Sequence, residues 1–371
     1  LNKIGPGGET PFPIPTKPNV FTPLRNEELL ERRGESALWF RMSPCPCPQQ
    51  DRVPDCKLCY EGEIRTFQED LEIYEEISWK VDGNRVYTRY GPIESVKSIS
   101  LLARGETKPL VIKKINDSFI ELDSDLPYYY QVQLDYKVKL VETIAIEMVG
   151  NNEHLLISNL SNRYIIGVEE LYHVEDEKSF NQRKVDWKSF NLNSITLNER
   201  TSGKYRAKVK VINPVKVAYK TFTIEKRQGL SSSLVQLPDG EILAVMGSGY
   251  KMGEGDIITL LFSTVRHSQF VPFKAGNFDR LPFTPISDVN KIISKDTRGL
   301  KEYKQGIDFV IFGDSRIQWL TDKPRDGYTI IYDYHPTFRV TGFVEGGSGE
   351  DRPKPRQFKM KAIPSFHGNY K

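Results

Sequence analysis

Val132-Gln133-Leu134-Asp135-Tyr136 sets an apolar side chain at every second position, and two more stretches keep that rhythm: Arg206-Ala207-Lys208-Val209-Lys210-Val211 and Ile330-Ile331-Tyr332-Asp333-Tyr334. Period-two alternation requires one buried and one wet face, which is the signature of a strand on a core. Upstream of each strand the same signals recur. The first copy reads Pro92-Ile93-Glu94-Ser95-Val96-Lys97-Ser98-Ile99, then Asp117-Ser118-Phe119-Ile120-Glu121-Leu122. The clearest match reads Pro285-Ile286-Ser287-Asp288-Val289-Asn290-Lys291-Ile292, then Asp314-Ser315-Arg316-Ile317-Gln318-Trp319. A weaker middle copy reads Ile166-Gly167-Val168-Glu169-Glu170-Leu171, then Asn193-Ser194-Ile195-Thr196-Leu197. From the valine to the isoleucine after the serine the copies count 24, 27 and 28 residues in chain order. Asp-Ser supplies a turn into the following strand, and Ser202-Gly203 and Asp326-Gly327 stand before the last strand as hairpin turns do.

The expectation is a mainly β chain: several small antiparallel β domains in a diverged repeat, with an N-terminal extended arm, one short helix and a zinc knuckle. Composition agrees, with 18 Tyr and 19 Phe against 5 Met and 4 Trp. The division expected along the chain is an extended arm (1–25), a short helix plus knuckle (26–66), and β domains at 67–145 and 146–215. An inserted β segment (216–275), a third β domain (276–345) and a linker with a basic tail (346–371) complete it.

In the arm, Pro13 and Pro15 alternate with Phe12 and Ile14, which suits an extended segment; Phe12, Ile14, Val20 and Phe21 are costly in water unless they lie on a neighbouring subunit. Asn26 through Arg33 reads as one helix with an asparagine cap and an acidic first turn. Glu69 through Glu76 reads as an acidic, solvated strand face. The 371 residues suffice for two to four domains, and a net charge of +3 by itself implies neither a nucleic-acid nor a membrane partner. No apolar run approaches the ~20 residues that cross a bilayer.

All four cysteines fall between Cys45 and Cys59, as Cys45-Pro-Cys47 and Cys56-Lys-Leu-Cys59. Two close pairs across a short polar loop let four thiolates converge on one tetrahedral ion, and zinc is the usual occupant of such a cage. The loop 48–55 is too polar to bury a core, so the expected zinc is structural and holds it folded. Disulfides are the first competing reading, typical of short secreted chains; a reactive dithiol is the second.

Catalytic patterns are sparse. His154, His173, His267, His335 and His367 are scattered without ligand spacing, and no Gly-x-Ser-x-Gly, P-loop or His-Glu-x-x-His motif is present. Gly247 through Asp256 is rich in glycine, but it lacks a Gly-Lys-Ser/Thr ending and a following helix, so it reads as a loop tip. No enzyme is expected.

Two stretches resemble virion proteins of tailed bacteriophages, of the kind found at the neck or head–tail connector. One is Cys45-Pro-Cys47-Pro…Pro54-Asp55-Cys56-Lys-Leu-Cys59. The other is Tyr303-Lys-Gln-Gly306-Ile-Asp308-Phe…Ile317-Gln-Trp319…Pro324-Arg-Asp-Gly327-Tyr…Tyr332-Asp-Tyr334-His335-Pro336-Thr-Phe-Arg339-Val340. Together they cover under a fifth of the chain. The resemblance implies a non-catalytic, homo-oligomeric ring in the virion, assembled in the host cytoplasm, with the four cysteines as zinc ligands. Its partners would be a portal-side adaptor and tail proteins, with no membrane and with DNA met only in passage. A baseplate or other tail component is the alternative, and a zinc-ribbon nucleic-acid-binding protein is the second.

Overall fold

The computed structural model describes residues 30, 33–45, 63–78, 81–88, 90–103, 106–126, 131–151, 155–157, 160, 163–176, 181–198, 203–220, 241–247, 250–296, 299–344 and 356–363. The expected arm (1–25), nearly all of the expected helix, and Cys47, Cys56 and Cys59 lie outside them. Strands β1 (Glu35–Pro44) and β2 (Glu63–Phe67) come first. A first module follows: β3 (Asp70–Ser78), β4 (Val81–Asp82), β5 (Arg85–Tyr87), β6 (Ile93–Ala103), β7 (Glu106–Pro109), β8 (Ile112–Ile115), β9 (Phe119–Leu122) and β10 (Gln131–Lys139). A second comprises β11 (Val141–Asn151), β12 (Leu155–Ile157), β13 (Tyr164–Asp176), β14 (Asn181–Lys184), β15 (Trp187–Phe190), β16 (Ser194–Leu197) and β17 (Gly203–Ile212). After β18 (Val215–Lys220), β19 (Glu241–Met246) and β20 (Ile257–Leu260) comes a third module. It contains β21 (Val265–Val271), β22 (Phe278–Arg280), β23 (Ile286–Asp296), β24 (Gly299–Tyr303), β25 (Phe309–Phe312), β26 (Arg316–Trp319) and β27 (Tyr328–Tyr334), and β28 (Thr337–Phe343) and β29 (Arg356–Ile363) are the last strands among the described residues. The mainly β architecture is as expected.

The strands that belong to no module close on one another. Their order is β18-β19-β29-β28-β20-β1, and β1 pairs back to β18, so six antiparallel strands make a barrel, with β2 prolonging it as a hairpin on β1. Closure satisfies every strand edge, which an open sheet cannot do. Alternation fills the interior: Ala37, Trp39, Val215, Val217, Ala244, Met246, Ile258, Leu260, Val340, Phe358 and Met360 share one buried cluster. The intervening residues of β1, Leu38 and Phe40, face the other way and pack with Val141, Ile166, Leu192 and Ile212 of the second module. Strand β1 is therefore buried on both faces, which its unbroken run Ala37-Leu38-Trp39-Phe40 permits.

The barrel differs from the sequence expectation at its last stave. Residues 346–371 read as linker and solvated tail, yet Arg356–Ile363 pairs with both β19 and β28. Phe358 and Met360 alternate inward between lysines, and the lysines dominated the sequence reading. The strands also divide the chain differently from the expected boundaries. β11 runs through residues 145 and 146, β21 belongs with the third module, and β28 returns to the barrel. Staves and module strands share one period, so nothing in composition marks where one ends.

The modules share one strand order. The first joins β3-β10-β6-β7 to β4-β5-β9-β8, the third joins β21-β27-β23-β24 to β22-β26-β25, and the second runs both halves into one sheet, β14-β13-β17-β11-β12-β16-β15. The long strand of each slips twice against its partner. Ile93 and Val96 face Val138 and Tyr136, Ile165 and Val168 face Val211 and Val209, and Ile286 and Val289 face Tyr334 and Tyr332. Each pair of bulges adds local twist at the same place in the module. The third module keeps a separate core of Val271, Leu281, Ile286, Ile292, Tyr303, Phe309, Ile311, Ile317, Trp319, Tyr328, Ile330 and Tyr332. It grows from the barrel as a continuation of the β20–β28 pair into β21–β27.

Candidate functional site: the cysteine hairpin and the module joints

The β1–β2 hairpin pairs Phe40 with Phe67 and ends with Pro44 opposite Glu63, so the cysteine window falls between the two strands in the chain. Cys45 is half-buried and a free thiol. Among the described residues no group of three or more His, Cys, Asp or Glu side chains could hold a metal ion. This overturns the expectation of a structural zinc, and with it the description of the chain as zinc- or metal-binding. Cysteine spacing permits convergence but does not impose it, and spacing was all that carried the zinc assignment. The knuckle positions Cys47, Cys56 and Cys59 lie outside the described residues.

The base of the hairpin is held by a buried carboxylate. Trp39 Nε1–H donates to Asp256 Oδ2 at 2.9 Å, Gly253 N–H donates to the same oxygen at 2.8 Å, and Met42 N–H donates to Oδ1 at 3.3 Å. The Arg41 guanidinium lies 5.3 Å from the Trp39 ring centroid and donates to the Lys251 carbonyl. The glycine-rich loop that ends at Asp256 thereby caps one end of the barrel, a role that needs glycines and no phosphate.

Joints of one kind recur in the first and third modules. The Tyr136 hydroxyl accepts the Tyr90 N–H at 3.4 Å, and the Tyr332 hydroxyl accepts the Phe283 N–H at 3.2 Å. Each donor stands two residues before the proline that enters the long strand, Pro92 or Pro285. Desolvation pushes the Tyr136 hydroxyl far up from its ordinary range, and the neighbouring Glu75 carboxylate adds to the rise. Burial likewise pushes Tyr332 up to about 12. These phenols stay protonated and act as bolts. From the first bolt an aromatic chain reaches the barrel, with Tyr90 edge-on to Tyr250 at 5.8 Å and Tyr250 edge-on to Trp39 at 6.2 Å.

The third module carries a buried polar cluster of its own. Asp279 accepts Trp319 Nε1–H at 2.9 Å, the Tyr328 hydroxyl at 2.8 Å and Lys323 Nζ at 2.6 Å, with the lysine 6% and the carboxylate 2% exposed. Lys323 donates also to the Lys274 carbonyl at 2.9 Å. Burial and then the Asp279 charge push the Tyr328 hydroxyl far up. The carboxylate is met by three donors from three elements, so the cluster ties the 320–327 loop to β22, β26 and β27. Its chemistry is cross-linking.

Where the third module leaves the barrel, Glu35 Oε1 accepts the N–H groups of Phe262 and Ser263, and Ser263 Oγ donates to Glu35 Oε2 at 2.8 Å. His335 N–H donates to the Pro285 carbonyl. Burial holds the His335 imidazole below its ordinary pKa, opposed by backbone contacts at Ser263 and Leu260 and by the Glu35 charge. Serine, histidine and glutamate meet here, but the serine hydroxyl donates to the carboxylate, so the arrangement pins a joint.

The remaining described histidines are packed: His173 against Tyr205 and His267 against Phe283 and Tyr332. His154 and His367 lie outside the described residues. Sequence reasoning missed Asp256, Asp279, Lys323 and Glu35, whose partners lie 40 or more residues away in the chain, save the Gly253 contact. Among the described residues no helix is long and apolar enough to cross a membrane. No known protein-family model matches the chain, and no curated protein matches it in sequence.

Proposed function

We propose that this chain is a non-catalytic structural subunit of a tailed-phage virion, placed in the neck or head–tail connector and working as one member of an oligomeric ring. The observation that carries the reading is the repeated build: three modules with one strand order and one double bulge, hung on a barrel whose staves come from both ends and the middle of the chain. We take the modules to be diverged copies of one unit. Duplication of a rigid β unit multiplies surface and stiffness without creating a reaction centre, which is what a load-bearing ring requires.

The buried polar groups support the same reading. Asp256 at the barrel, Asp279 inside the third module and Glu35 where that module leaves the barrel each hold several donors, so polar burial goes into rigidity. The resemblance of 303–340 to the closing unit of phage neck proteins supports the neck over other places in the virion. Mass spectrometry of purified virions tests the reading: the chain is expected in stoichiometric amount in particles, with density at the head vertex. Absence from particles overturns it, and density at the distal tail moves the subunit to the baseplate.

A further inference from the structure

The three modules present the same edge in three different ways. In the first, the edge strand β3 carries Asp70, Glu72 and Glu76, a charge density that discourages an added strand. In the second, the equivalent β11 is covered by β12 at its end, Val149 through Asn151, and carries Glu142 and Glu147 before that. In the third, β21 (Val-Arg-His-Ser-Gln-Phe-Val) pairs only with β27 among the described residues. It has no proline, its one arginine is bonded to Asp333, and Val265 and Phe270 are exposed. An open, nearly neutral edge of seven residues is a template for one more strand.

The chain contains a segment suited to such an edge. In an extended strand, successive residues turn their N–H and C=O groups to opposite edges. Were Thr10-Pro11-Phe12-Pro13-Ile14-Pro15-Thr16 extended, one edge would present the N–H groups of Thr10, Phe12, Ile14 and Thr16, and the other only prolines, which have none. Such a strand adds to one edge and stops growth on its far side. We infer that this segment of one subunit pairs with the outer edge of β21 in a neighbouring subunit, as an exchanged strand that links the ring. The inference rests on the assembly reading above, and exchange between identical subunits makes the same contacts that pairing within one chain would.

The test uses the full chain and a Phe12→Pro/Ile14→Pro variant, which removes two N–H groups from the pairing edge. A Pro13→Ala/Pro15→Ala control leaves that edge intact. Native mass and amide exchange of the β21 N–H groups that face away from β27, the β21 protection meant below, are read across a dilution series. The wild type and the control are expected to form oligomers with β21 protected, both lost on dilution. The double-proline variant is expected to lose association and at least about tenfold of the β21 protection. An oligomer whose β21 protection is unchanged in the double-proline variant overturns the inference and leaves the assembly reading standing; a second copy's β21 is then the partner. Protection that persists in a monomer overturns exchange, because the segment then lies on its own chain. A monomer without β21 protection at every concentration overturns both readings.

Discussion

Replacing Asp279 by alanine removes one carboxylate and strands three donors. Lys323 loses its 2.6 Å partner while 6% exposed, and the Trp319 indole and Tyr328 hydroxyl lose partners at 2.9 and 2.8 Å. Breaking a buried ion pair from one side costs about 3–5 kcal/mol, because the remaining charge stays desolvated. The two neutral donors would each add about 1 kcal/mol where water cannot reach them. For a unit of this size, with a urea slope near 1 kcal/mol/M, the midpoint of the third module should fall by about 3 M or more. Trp319, the tryptophan of the third module, reports that transition through its fluorescence when Trp39, Trp79 and Trp187 are replaced by phenylalanine in both chains compared. Asp279→Asn combined with Lys323→Met removes both charges and keeps acceptors for the two neutral donors, so it should recover most of the loss. If Asp279→Ala shifts the midpoint by less than about 1 M, the cross-linking role of the cluster is refuted.

Further outcomes follow from the joints. Tyr332→Phe removes a single accepted bond from Phe283 and should cost about 0.5–1.5 kcal/mol in thermal unfolding; Tyr136→Phe should cost more, because the buried Glu75 beside it loses a donor. Glu35→Ala should raise amide exchange at Phe262 and Ser263 about tenfold while leaving the Ala37–Phe40 amides unchanged, a result read by exchange mass spectrometry. His335 is held below its ordinary pKa of 6.5 by burial, so above that value folded and unfolded chains are both neutral there and its contribution is intact. As pH falls below 6.5 the unfolded chain takes up the proton first, and stability drops until the folded imidazole titrates. Melting temperatures between pH 8 and 5 should therefore fall more steeply for the wild type than for His335→Gln, and parallel curves would remove His335 from the account.

The β class and the anchors of the repeat were legible because alternation is a local signal. Val96, Val168 and Val289, singled out by spacing alone, occupy equivalent places beside the second bulge of each module. The last strand was placed two residues out of register. Laying 132–136 on 330–334 matches Tyr136 with Tyr334, whereas the strand pairing and the hydroxyl bond match it with Tyr332. A slip of two keeps every side chain on its own face, so patterning cannot detect it. The barrel was not legible, since β1, β18–β20 and β28–β29 meet only after the modules are looped out. Phe358 and Met360 carried the clue to the last stave, hidden among Lys359, Lys361 and Arg356. The joints were beyond sequence reach for the same reason: Trp39 and Asp256 are 217 residues apart.

The frame itself is tested most directly at β29. Amide exchange in the intact chain should find Gln357 through Ala362 as slow as Ala37 through Phe40, because β29 bonds to a neighbour on either side. Exchange of those amides at the rate of a free peptide would mean that the barrel does not close.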